Sequence, residues 1–200
     1  MELGSLNNSD RSFDLFSLGN GMGSRGIRLG YRLAERLQLV ASLHHIGEGA
    51  RVEVPSGGGY GYDDSYSYDD SYGYDDSYNS ALFVAALLIE QISLGARVDV
   101  EIEEIFLPYL TVQGTAMPTV ARLDDAPTQP NNLGQIQEDG LGLGLLALAG
   151  AEVRMPAGAP VQLALHTELG YGLIAPIDLG SFGSMRPGGF AARGGLGLRF

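Results

Sequence analysis

The segment from Tyr62 to Asn79 repeats itself three times, as YDDSYS, YDDSYG and YDDSYN. Its aspartates (Asp63, Asp64, Asp69, Asp70, Asp75 and Asp76) offer hard oxygen ligands of the kind Ca²⁺ takes, and Tyr62, Tyr68 and Tyr74 supply rigid aromatic contact area. Seven of the 10 tyrosines fall within 60–78, with no basic residue among them. Two readings are open. One is a contact loop that captures Ca²⁺ or a surface partner. The other is a solvated, low-complexity loop, which has no apolar residues with which to bury a core. The second is preferred, and because the aspartate spacing matches no EF-hand loop, no metal site is assigned.

Two other groupings have the residue types for chemistry. Ser42, His44, His45 and Glu48 lie close together. In a strand, adjacent His44 and His45 point to opposite faces, so they cannot work as one pair, and ordinary histidines at the end of a strand are the preferred reading. Gly21-Met22-Gly23-Ser24-Arg25-Gly26 fits G-x-G-x-x-G as a string. The residues after it alternate like a strand, so no helix N-terminus awaits a pyrophosphate and no nucleotide or other cofactor is assigned.

Composition narrows the classes. The 200 residues suit one domain. There is no Cys, all 12 basic residues are Arg, and the net charge of −12 argues against a nucleic-acid partner. Charged residues make up 18%, below the roughly 25% of a soluble domain, and the absence of Lys implies little ordinary hydrated surface.

The elements that must position these residues are strands. Apolar residues recur every second position in Arg25–Leu33 (Ile27, Leu29, Tyr31), from Leu37 onward (Leu39, Ala41, Leu43), and in Ser80–Val100, Leu107–Ala121, Leu141–Arg154, Val161–Gly172 and Met185–Phe200. Ser12–Leu18 supplies an eighth strand, after a tail at 1–10. Pro118 predicts a bulge or fraying within the fifth strand, because proline cannot donate to a ladder. Connections near 34, 103 and 157 are short, and those at 47–79, 124–139 and 173–185 are long. The short Gly19–Ser24 connection is the exception to that alternation.

The opposite face of these strands is rich in glycine and carries both signs of charge: Asp14, Arg28, Arg32, Arg97, Asp99, Glu152, His166, Glu168, Arg193 and Arg199. In an eight-stranded barrel the interior is just wide enough to be filled by side chains. Turned inward, this set is expected to pair into a structural lumen network, with His166 beside Glu168, and with glycines making room for the arginines. Tyr31, Phe106, Tyr109 and Phe200 fall near the short-turn ends, as an interfacial aromatic belt would.

The closing strand carries the sharpest resemblance. Phe190, Leu196, Leu198 and the terminal Phe200 alternate with Ala191, Arg193, Gly195, Gly197 and Arg199. This resembles the last strand of bacterial outer-membrane β-barrels, and residues 11–200 together resemble the small eight-stranded members, such as the membrane domain of outer-membrane protein A. The resemblance implies an all-β, antiparallel, up-and-down transmembrane barrel. It also implies periplasmic termini, a Gram-negative outer-membrane location, an outer loop at 56–79, and outer-membrane lipid as partner. Phe190, Leu196, Leu198 and Phe200 would act as a signal to the barrel-insertion machinery. Met1–Ser5 has neither the basic start nor the apolar core of a secretory signal, so a barrel of this kind is expected to have had that signal removed. The expected function is non-catalytic, structural or surface-interacting, with a passive pore disfavoured by the plugged lumen. The alternatives are an outer-membrane lipid-modifying enzyme around His45 and Ser42, and a soluble lipocalin-like barrel with its apolar face inside.

Overall fold

The structure is a computed structural model that describes residues 2–7, 21–55, 80–100, 105–125, 135–155 and 160–199. Among the described residues, ten strands run β1 (Glu2–Asn7), β2 (Gly21–Arg32), β3 (Leu37–Pro55), β4 (Ser80–Asp99), β5 (Phe106–Asp125), β6 (Ile136–Met155), β7 (Gln162–Ile174), β8 (Ile177–Asp178), β9 (Ser184–Met185) and β10 (Gly189–Arg199). Eight of them close a barrel in the order β1-β10-β7-β6-β5-β4-β3-β2, every neighbour antiparallel. The remaining two, β8 and β9, form a small hairpin of their own.

The first strand is Glu2–Asn7, inside the stretch expected to be a tail. Ser12–Leu18, with Asp14, lies outside the described residues. The apolar alternation of Phe13 and Leu15 points to that later segment, whereas β1 is paired along both edges with β10 and β2 and turns Glu2 inward, where three basic side chains meet it. With β1 at 2–7, the connection to β2 spans 8–20 and is long, so the apparent exception to the alternation of short and long connections disappears. β1 is level with Gly26 of β2 and Gly195 of β10 at Glu2. Below that level a cavity of about 930 Å³ opens, and it is lined from both faces of the wall by Arg28, Arg32 and His166 and by Leu29, Leu196 and Leu198.

Pro118 leaves its mark without a bulge. Ile89 pairs with Thr119 and Ile92 with Ala116, one unbroken register. Only Glu90 and Gln91 go unpaired against Met117 and Pro118, where the missing N–H interrupts the ladder.

Side chains alternate across the wall. Leu29, Leu39, Leu143, Leu163 and Leu196 are exposed on the outside, and Glu2, Arg97, Glu152, Glu168 and Arg193 are buried inside. The inside is divided along its length. Toward the short connections it is polar. Toward the long connections it is an apolar cluster of Ile46, Ala85, Leu87, Ile89, Met117, Ala121, Leu146, Leu148 and Ala191. The β8–β9 hairpin completes that cluster, with Ile177, Leu179 and Met185 fully buried in it. The segment read as a plain outer loop at 173–185 is thus a folded plug. A Cβ on Gly142 would lie 2.8 Å from Ile177. Gly142 therefore makes room for the plug and not for an arginine. Gly150 clears the ring of Tyr109 and the stem of Glu168 in the same way.

Candidate functional site

The polar half of the lumen is built from inward positions of all eight barrel strands, each delivered by the two-residue period. Two groups share the acids. In the first, Arg28 of β2 holds both oxygens of Glu168 of β7, with Nη1 2.7 Å from Oε1, and its Nε lies 2.9 Å from Glu2 of β1. Glu2 also meets His44 Nε2 at 2.9 Å and His166 Nε2 at 2.7 Å. In the second, Arg97 Nε lies 2.5 Å from Asp99 and Nη1 2.7 Å from Glu152. Arg154 Nε donates to the other oxygen of Glu152 at 2.6 Å, and Gln38 Nε2 donates to Asp99 at 2.6 Å. The Arg97 guanidinium lies 3.5 Å from the centre of the Tyr109 ring, a cation–π contact in a desolvated setting. Each of the four carboxylates thus meets a side-chain nitrogen on both of its oxygens, the arrangement in which charge-assisted contacts are strongest.

Of the expected lumen set, Arg28, Arg97, Asp99, Glu152, His166, Glu168 and Arg193 come together here. Arg32 shares their face but is exposed at the short-turn mouth. Arg199 is paired with Gln162 in the backbone ladder, and its side chain lies outside the described residues. His166 does not pair with Glu168, because Arg28 occupies both oxygens of Glu168 and His166 turns to Glu2. The expected charge set lacked Glu2, Gln38, His44, Tyr109 and Arg154. Parity alone would have found all but Glu2: Arg154 follows Glu152 by two, and His44 follows Ser42. Tyr109 is no part of an aromatic belt, because it is buried inside the barrel. Outward aromatics are Tyr31, Phe106, Tyr171 and Phe190, the last two directly opposite one another.

The hydroxyl–histidine pairing does not form. Ser42 is buried in the lumen, whereas His45 is on the outer wall with its Nδ1 2.6 Å from Glu90. Arg25 stands beside it in register. Glu48's side chain, the Tyr62–Asp76 repeat and Phe200 lie outside the described residues. Phe190, Leu196 and Leu198 are exposed on the outer face of β10. Among the described residues no cluster of His, Cys, Asp and Glu could hold a metal ion.

What the arrangement can do is hold charge. Among the described residues, Arg28, Arg97 and Arg154 are locked to Glu2, Glu168, Asp99 and Glu152 in the lumen. No protein family matches the chain, and no curated protein is detectably similar to it.

Proposed function

We propose that this barrel spans the outer membrane of a Gram-negative bacterium as a closed, non-catalytic element that presents its long connections at the cell surface. One observation carries the reading: the closed wall is apolar outside and charged inside. Leu29, Leu94, Leu110, Leu143, Leu169 and Leu196 are each more than 50% exposed, on a wall whose inward positions bury Glu2, Arg97, Glu152 and Glu168. In water such a wall far exceeds the few hundred Å² of contiguous apolar surface a monomer exposes. In hydrocarbon it is the stable arrangement, because a closed barrel also satisfies its backbone internally. A soluble ligand-binding barrel requires the opposite polarity.

Closure supports a structural or surface-interaction role over conduction. Paired charges cross one half of the lumen, beside the cavity that they help to line, and apolar side chains together with the β8–β9 hairpin pack the other. The partners proposed are outer-membrane lipid, the barrel-insertion machinery reading Phe190, Leu196, Leu198 and Phe200, and a surface partner or Ca²⁺ at the Tyr62–Asp76 repeat. The test is solubility and gel mobility. The protein should require detergent, and unheated samples should migrate differently in SDS from boiled ones. Full solubility as a folded monomer without detergent would contradict the proposal.

A further inference from the structure

One stretch of the outer wall breaks its apolar pattern with charge. Arg25 of β2, His45 of β3 and Glu90 of β4 stand level on adjacent strands, in phase with the outward leucines. Toward the short connections the wall continues apolar. Ile27, Leu43 and Ile92 form the next outward row and Leu29 and Leu94 stand beyond them, every one exposed. Toward the long connections the next outward positions on β2 and β3 are Gly23 and Gly47. With no side chains there, the wall is hollowed into an open depression of about 580 Å³, which Arg25, His45, Leu3, Gly23 and Gly47 line together.

Glu90 lies 2.6 Å from His45 Nδ1. An ionised carboxylate only accepts, so Nδ1 carries a proton and the ring is held with its other nitrogen turned elsewhere. That nitrogen, Nε2, overhangs Gly47, where a Cβ would lie 3.3 Å from it. Arg25 is exposed, and among the described residues no carboxylate lies within ion-pair distance of it. Glu90 stands two strands away from Arg25, about 10 Å, and does not line the depression. Cross-strand neighbours such as Arg25 and His45 have Cβ atoms about 5 Å apart, close enough to hold different oxygens of one phosphate group.

A phosphate suits this pair. A guanidinium takes two of its oxygens side by side. Nε2 donates to a third when the imidazole is charged, and accepts from a phosphate hydroxyl when it is neutral. The wall below says what the phosphate belongs to. An arginine at the edge of hydrocarbon is costly unless it reaches an interface or a counter-ion, and the rows of Ile27, Leu43 and Ile92 offer acyl chains an apolar face. A free phosphate ion would use none of that face. Beyond the phosphate, the glycine-floored depression has room for a sugar ring.

We propose that Arg25 and His45 hold the phosphate of a phosphorylated glycolipid, with its acyl chains on Ile27, Leu43 and Ile92 and its sugar in the depression. The assignment rests on the transmembrane reading, in which this row lies at the outer boundary of the apolar band.

The test titrates the full chain, purified in a non-ionic detergent, with lipid A, an acylated and phosphorylated glucosamine disaccharide, and counts bound lipid by native mass spectrometry. Lipid A should bind at least roughly tenfold more tightly than its dephosphorylated form or phosphatidylglycerol. Inorganic phosphate should not displace it. Arg25→Gln should weaken lipid A binding roughly tenfold or more. Gly23→Phe keeps every charge, and a Cβ there meets nothing within 4 Å, so its ring enters the depression and not the wall. It should weaken binding to a similar degree. Equal binding of the dephosphorylated lipid or of phosphatidylglycerol would overturn the proposal. So would displacement by inorganic phosphate, or an affinity unchanged in either variant. A chain that stays folded and monomeric without detergent would overturn the transmembrane reading before any lipid is added, so the two failures are distinct.

Discussion

The two halves of the lumen fill the same width with opposite chemistry. On β4 the inward side chains read Asp99, Arg97, Ser93 and Gln91, then Ile89, Leu87, Ala85 and Phe83. On β6 they read Arg154 and Glu152, then Leu148 and Leu146. The polar half is held by directional contacts from strands far apart in sequence, such as Arg28 to Glu168. The apolar half is held by non-directional packing, and part of its filling is a separate piece of chain, the β8–β9 hairpin. Removing one partner from the first leaves a buried charge, and removing one from the second leaves a void. The first fixes which strands close the barrel, and the second seals its far end.

Four perturbations should separate the halves. The largest effect is expected from Arg28→Met, which removes both contacts to the Glu168 carboxylate and one of the three basic partners of Glu2. Denaturant unfolding in micelles should show a loss of about 3–5 kcal/mol. A loss below that of a simple core truncation would mean the network is hydrated and the two halves are not so different. In the apolar half, Leu146→Ala should cost about 3 kcal/mol as a cavity, and a small apolar solute such as benzene should restore part of it. Gly142→Val should then act locally. Its added atoms meet Ile177, so about 1–3 kcal/mol of overpacking falls on the hairpin. Hydrogen exchange should accelerate at 175–188 while the amides around Arg97 and Glu152 stay protected. Equal acceleration in both halves would show that they are one cooperative unit. Smallest of all, deleting Tyr60–Tyr78 should leave the melting temperature nearly unchanged, because loop-closure cost varies slowly with length. A large drop would mean that the repeat extends the sheet, with its tyrosines in cross-strand pairs.

The polar half was largely legible in the sequence because strand parity is a strong signal. Once Leu29 faces out, Arg28 faces in, and Arg97, Glu152 and Glu168 fall in phase. The apolar half was legible in principle. Ala81–Ile89 has no polar residue, so both faces of β4 must meet apolar surroundings there, as in any strand covered on both sides. Its length alone says only that it is a strand. The hairpin was not legible. Ile177 and Leu179 are two apart, but a single repeat of that spacing among glycines and prolines is too short to read as a strand, and only the tertiary fold shows that they and Met185 turn inward. Glu2 escaped for a related reason: a six-residue strand with one acid has too little pattern to read, and its place is set by Arg28, His44 and His166.

The central claim is the polarity of the wall, and spin-label accessibility tests it most directly. The chain has no Cys, so single cysteines at Leu29, Leu143, Leu163 and Leu196 can each carry a nitroxide without background. In lipid vesicles all four labels should collide readily with dissolved oxygen, which concentrates in hydrocarbon, and hardly at all with a polar nickel chelate. Strong relaxation by the nickel chelate at those positions would place the leucine face in water and contradict that polarity.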